Sequence, residues 1–135
     1  MPLIPNDRYY VMQIMDAYSS IFASLGRRTT GTKAGSFAIV GPDWDGVLPS
    51  GLREVRSPTN TAWLIGRVLA KGEDDEEEAR RILKQFTLTS LDGTNPYVVK
   101  PANKLLLETK VEDLSAMDFF KAMTDLMISE SYYRQ

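Results

Sequence analysis

Arg8-Tyr9-Tyr10-Val11-Met12-Gln13-Ile14-Met15-Asp16-Ala17-Tyr18 decides the fold, because two periods run through it at once. Val11, Ile14, Met15, Tyr18, Ile21 and Phe22 recur at helical spacing and would line one apolar stripe. Tyr9, Tyr10, Val11, Ile14 and Tyr18 are the aromatic and β-branched types that suit a pleated, half-buried surface. If this segment is a strand, the chain reads as α+β. If residues 8–25 and 60–71 coil instead, it reads as mainly α. Asp16 sits inside the apolar stretch, and a buried charge there needs a partner. Arg8, Arg56 or Arg67 could supply it.

Downstream, punctuation residues divide the chain. Gly26 to Gly35 is a polar, turn-rich loop. Ser36 to Val40 is a short apolar run closed by Gly41-Pro42, which predicts a strand and its stop. Asp43 to Gly51 is a loop broken by glycine and proline, and Glu54 to Arg56 is a short strand ended by Ser57-Pro58. Thr61 to Ala70 predicts another strand, with Trp63, Ile65 and Leu69 on one side. Gly66 there would cost a helix about 1 kcal/mol relative to alanine. Thr87 to Leu91 predicts a last strand before Asp92-Gly93.

Two segments predict helices. Over residues 74–85, Asp74 or Asp75 can cap, and Ala79, Ile82, Leu83 and Phe86 form the buried stripe. Glu76–Arg80 and Glu77–Arg81 are i,i+4 pairs in the favourable order. Residues 94–113 are irregular, with Pro96 and Pro101 as breakers. Ser115 then opens a helix over about 115–128, with Asp118 completing a near capping box and Leu114 and Phe119 placed for a hydrophobic staple. Phe119, Phe120, Met123, Leu126 and Met127 supply its apolar face, and Ser129 to Gln135 reads as a frayed end. The expected architecture is a β-rich layer or sandwich of short strands with two peripheral helices.

Composition bounds the chemistry. The 135 residues suit a single domain spanning 1–135, and 43% hydrophobic with 25% charged residues is the balance of an ordinary globular protein. With no cysteine and no histidine, thiolate nucleophiles, Cys/His zinc sites, Ser-His-Asp triads and histidine bases are all excluded within this chain. No apolar run reaches the roughly 18 residues a membrane helix needs. The start, Met-Pro-Leu-Ile-Pro-Asn-Asp-Arg, does not read as a signal peptide, so the sequence as written reads as cytoplasmic. Residues 1–72 carry 8 basic against 5 acidic side chains, a mild +3, and residues 73–135 carry 8 against 13, a −5. That is too diffuse for a nucleic-acid stripe.

A longer string narrows the identity. Arg8-Tyr9-Tyr10, Gln13, Asp16-Ala17-Tyr18, Arg28-Thr29-Thr30-Gly31-Thr32, Ile39-Val40-Gly41-Pro42-Asp43-Trp44, Arg56-Ser57-Pro58-Thr59-Asn60-Thr61 and Trp63-Leu64-Ile65-Gly66-Arg67 follow one another in fixed order. Over roughly residues 5–127 the chain resembles the bacterial family known as domain of unknown function (DUF) 1254. The resemblance implies a strand over residues 8–18 and carries no agreed activity. It also implies a longer parent architecture, with a leading segment and often a following, largely β domain (DUF 1214), and members that are often exported. This sequence reads as a short form of that architecture. A β-rich piece without its neighbours should expose sheet edges and apolar patches, so the chain is expected to form homo-oligomers or to take a partner domain that covers them.

The motifs are weak. Gly26-Arg27-Arg28-Thr29-Thr30-Gly31-Thr32-Lys33 approaches a P-loop, but its lysine is displaced by one residue and no helix follows. Asp43-Trp44-Asp45-Gly46 has the start of a calcium loop without its later acids. Trp44 suits either an exposed binding platform or a loop anchor, while Trp63 reads as core, with Arg67 on the same strand face. Two functional classes follow. The first is a non-catalytic structural or binding module. The second is an enzyme or binding protein for a small anionic or carbohydrate-like ligand, built from Asp16, Arg28, Trp44, Arg56 and Arg67. The first is preferred, with no catalytic residue assigned, no cofactor or metal, and no nucleic-acid or membrane partner. The second requires Asp16 and an arginine to converge in an open pocket.

Overall fold

The structure is a computed structural model and describes residues 1–92 and 110–129. The irregular stretch expected over 94–113 lies outside the described residues as far as 109, and so does the expected frayed end from 130 onward.

Within residues 8–18 the chain forms a strand, as the resemblance implies, followed by a turn at Ala17-Tyr18. β1 (Tyr10–Asp16) buries Tyr10, Met12, Ile14 and Asp16 and leaves Val11, Gln13 and Met15 half-buried. That alternation has the period of a strand, and no helical stripe could bury four successive even positions. Two antiparallel neighbours fix it. β2 (Ile21–Gly26) pairs along one edge, and a later strand, Ala62–Val68, pairs along the other. The strand expected over Thr61–Ala70 is therefore present.

The sequence reading did not assign β2. Ile21 and Phe22 had fitted a helical stripe. The register steps from Ile14–Ala23 to Met15–Ile21, so a bulge at this point leaves Phe22 without a cross-strand partner. A bulge breaks the strict alternation by which a strand is recognised.

β3 (Ser36–Val40) coincides with the expected strand, and β4 (Leu52–Arg56) starts two residues before it. They pair in parallel, from Ser36–Leu52 to Val40–Arg56, as a separate two-stranded sheet. β5 is Ala62–Val68. The buried face of β1 and β2 meets the second sheet: Met12, Ile14 and Leu25 pack with Phe37, Ile39 and Val55. Ile4, Tyr10 and Ile82 form an adjoining cluster.

α1 (Glu76–Leu83) follows a 3-10 turn at Glu73–Asp75 and buries Ala79 and Ile82 as the pattern requires. Leu83 instead lies at the surface and Phe86 is half-buried. Asp75 occupies the N-cap position but makes no side-chain cap. Its carboxylate takes both Arg8 guanidinium nitrogens, at 2.5 and 2.6 Å, and the Lys71 N–H at 2.8 Å. A bidentate charged pair outcompetes a cap. The Glu76–Arg80 pair forms at 3.0 Å, but Arg81 pairs with Glu78 rather than Glu77. Residues 87–91 form no strand, and no β pairing reaches them. α2 (Ala116–Ser129) begins as expected: the Ser115 Oγ accepts the Asp118 N–H at 3.2 Å and donates to its carboxylate at 2.7 Å. Five strands in two sheets with two helices make the chain α+β.

Candidate functional site

Asp16 ends β1 and is 0% exposed. Its Oδ1 accepts the N–H groups of Tyr18 and Ser20, both at 2.9 Å. The main chain closes the same turn, with Asp16 N–H to Ser20 O and Ser19 N–H to Asp16 O, each at 3.0 Å. Aspartate is suited to this because its short carboxylate can cap the turn that follows it. Beside it, Thr59 accepts the Ala17 N–H at 3.0 Å and donates to the Thr61 carbonyl at 2.7 Å. The Asp16 Oδ2 is buried and accepts no hydrogen bond among the described residues. Asp16 is thus closed off from solvent.

Arg56 serves the other sheet. Its Nε pairs with Glu54 at 2.9 Å, and its Nη1 donates to the carbonyls of Gly41, Pro42 and Trp44 at 3.2, 3.0 and 2.8 Å. One guanidinium therefore ties down the loop that joins two parallel strands. Trp44 is half-buried in that loop, and its indole lies against Gly46, where a Cβ would come within 2.7 Å of the ring. Both residues act as loop anchors.

Arg28 and Arg67 lie on the outer face of the first sheet. Val11 pairs with Gly26 on one side and Arg67 on the other, and Gln13 pairs with Ser24 and Ile65. Tyr9, Val11, Gln13, Ser24, Gly26 and Arg28 surround a hollow of about 170 Å³. The Arg28 guanidinium stands 5.5 Å from the Tyr9 ring centroid, a cation–π distance. The Arg67 Nη1 donates to the Gln13 Oε1 at 2.6 Å. Trp63 is on this face too, across from Met15, and is 53% exposed. The expectation that it is core fails, because the sheet has a second face that the described residues leave open.

Of the five residues singled out from sequence, Arg56 and Trp44 meet in the β3–β4 loop, where Arg56 holds the Trp44 carbonyl, and Arg28 and Arg67 flank β1 from opposite sides of Gln13 and Val11. Asp16 is directed into the core and Arg56 belongs to the second sheet.

Sequence reasoning expected exposed apolar patches without placing them, and the described residues show two such surfaces. An open cleft of about 190 Å³ lies between the sheets, lined by Met12, Leu25, Phe37, Ile39, Leu64 and Phe86 among others, with no ionisable side chain on its wall. Gly66 lies across from Met12, and a Cβ there would come within 2.5 Å of the Met12 sulfur. The glycine that disfavours a helix thus also makes room for the methionine. The second surface is on α2. Ala122 is buried, but Met117, Phe120, Met127 and Ile128, spaced i, i+3, i+10, i+11 on one face, are each more than half exposed. The amphipathic pattern was legible, but not the lack of a cover. Among the described residues no group of three or more acidic side chains could hold a metal ion, and no helix is long and apolar enough to cross a membrane.

The family described as "Protein of unknown function (DUF1254)" matches over residues 1–90, which contain both sheets and α1. The chain belongs to this family. The crystal structure of the VPA0106 protein from Vibrio parahaemolyticus is similar, at 32% identity and a TM-score of 0.58 over 63% of this chain. The match spans 22% of the VPA0106 chain, so this DUF1254 chain covers about a fifth of that relative's length. No curated protein matches it. Neither the family nor this neighbour carries an assigned function.

Proposed function

We propose that this DUF1254 chain is a non-catalytic binding module whose apolar surfaces take a partner polypeptide. The observation that carries the reading is the uncovered face of α2, where Phe120 is 58% and Met127 54% exposed. A contiguous apolar face of this kind on a water-facing helix marks an interaction surface. An isolated helix of this length is marginal in water, so α2 needs packing on its apolar side to be stable. The cleft between the sheets supports the same reading, since its mostly apolar wall, with no ionisable side chain, suits an apolar side chain better than acid–base chemistry. The length of the VPA0106 relative is also in keeping, because the corresponding region there lies within a much longer chain.

For the isolated chain in solution, a second copy is the available cover. Sedimentation velocity across the micromolar range is expected to show concentration-dependent self-association. The double variant Phe120→Glu, Met127→Glu is expected to remain monomeric with an unchanged circular dichroism spectrum. A wild-type chain that stays monomeric throughout, with the same profile as the double variant, overturns the proposal.

A further inference from the structure

The hollow on the outer face of the first sheet has chemistry of its own, independent of the apolar surfaces. We infer that it is a binding site for a small oxyanion, a carboxylate or a phosphate, held by Arg28, Arg67 and Gln13. The argument begins with charge. Among the described residues neither Arg28 nor Arg67 pairs with a carboxylate, whereas Arg8, Arg27 and Arg56 pair with Asp75, Asp7 and Glu54. The acids of the first 72 residues are all placed elsewhere. Asp7 and Glu54 are in those pairs, Asp16 is sealed in the core, and Asp43 and Asp45 lie on the β3–β4 loop. Among the described residues these two cations thus stand without a paired carboxylate.

Gln13 adds the directional element. Arginine can only donate, so the Gln13 atom facing Arg67 is the amide oxygen. With its oxygen so occupied, the amide NH2 is left to donate. Gln13 and Arg28 therefore border a hollow of about 170 Å³ whose lining carries no acidic side chain, and Arg67 stands beside it, joined to it through its hydrogen bond to Gln13. That volume is below the range of about 300–1,000 Å³ typical of drug-sized ligands, which restricts the occupant to a small ion. Arginine's planar fork matches the two oxygens of a carboxylate or phosphate. The Tyr9 ring beneath Arg28 helps to hold that fork in place. Gly26, whose Cβ would come within 2.6 Å of the Tyr10 carbonyl oxygen, lets the end of β2 lie against β1 and leaves no side chain at this rim.

The test is an NMR titration of the full chain, at constant ionic strength, with inorganic phosphate and with succinate in separate arms and chloride as control. The expected result is a saturable shift of the Gln13 side-chain amide and of the Arg28 and Arg67 Nε–H signals in at least one oxyanion arm, and none with chloride. The arm that saturates identifies the source. Arg28→Ala and Arg67→Ala should each weaken binding about tenfold or more, as loss of a charge-assisted hydrogen bond requires. Arg27→Ala, whose guanidinium is engaged by Asp7, should leave it unchanged. No saturable shift in either oxyanion arm, an equal response to chloride, or unchanged binding by the Arg28→Ala, Arg67→Ala double variant overturns the inference. None of these outcomes depends on the oligomeric state.

Discussion

Asp16 shows how an acid can occupy an apolar strand with no cationic partner among the described residues. Its carboxylate is needed by the turn, where one oxygen accepts two main-chain N–H groups. Asp16→Ala would leave both unsatisfied and is expected to cost about 1–3 kcal/mol in chemical denaturation. Asp16→Asn keeps an acceptor oxygen and should cost less, and equal losses for the two variants would refute the turn role. Asp75 is the second telling acid. The Arg8 side chain foremost, then the Lys71 N–H, hold its pKa down from an ordinary 3.8 to about 2. A carboxyl depressed on folding stabilises the native state above its unfolded pKa and loses that contribution as pH falls toward the folded value. The melting-temperature gap between wild type and Asp75→Asn should therefore be constant above pH 3.8 and close between 3.8 and about 2. The depressed Asp7 answers to Arg27 alone and cancels in the difference, whereas Glu78, held down mainly by Arg81, also senses the Asp75 charge. A gap insensitive to pH in this window would contradict the assignment.

At the level of elements, short pieces hold only by their anchors. α1 spans Glu76–Leu83, too short to persist alone. Ile82, 1% exposed, joins it to Ile4 and Tyr10, while Arg8–Asp75 ties its leading turn to the start of β1. Ile82→Ala is expected to destabilise the protein by about 2–5 kcal/mol, read from the denaturation midpoint. β3 and β4 are a two-stranded parallel pair, an arrangement that seldom stands without supporting crossover structure. Here the support is the buried face of β1 and β2 together with the Arg56 fork. Arg56→Lys keeps the charge but cannot reach three carbonyls and Glu54 together. It should cost about 1–2 kcal/mol, modest because the site is partly solvated. Faster amide exchange in residues 41–46 should accompany the loss. Unchanged exchange there would show that the loop holds itself.

Across the whole molecule, the inner faces of the sheets pack together only in part, and apolar surface stays open beside that packing and on α2. The cleft between the sheets and the uncovered side of α2 both present apolar surface to water. Leu64, 45% exposed on the cleft wall, offers a separate handle. Leu64→Glu should abolish binding of a fluorescent apolar dye to the cleft while preserving the circular dichroism spectrum. Dye binding equal to wild type would show that the cleft is not where apolar ligands bind.

The sequence determined the elements whose signal is local. Ser36–Val40 was bounded by Gly41-Pro42, the strand around Trp63 by Gly66 and its apolar residues, and α1 and α2 by their stripes and acidic first turns. Membership of the DUF1254 family was legible in the order of residues from Arg8 to Arg67. For residues 8–18 the residue pattern alone left helix and strand equal, and β2 was hidden by a bulge. Only tertiary pairing resolved them, because a strand's hydrogen bonds belong to its neighbours and not to its own sequence. The same reason governs the site. Spacing could nominate Asp16, Arg28, Trp44, Arg56 and Arg67, but which sheet and which face each occupies depends on contacts between residues far apart in the chain. Those contacts took Asp16 into a turn and Arg56 into a loop, and left Arg28 and Arg67 on an open face.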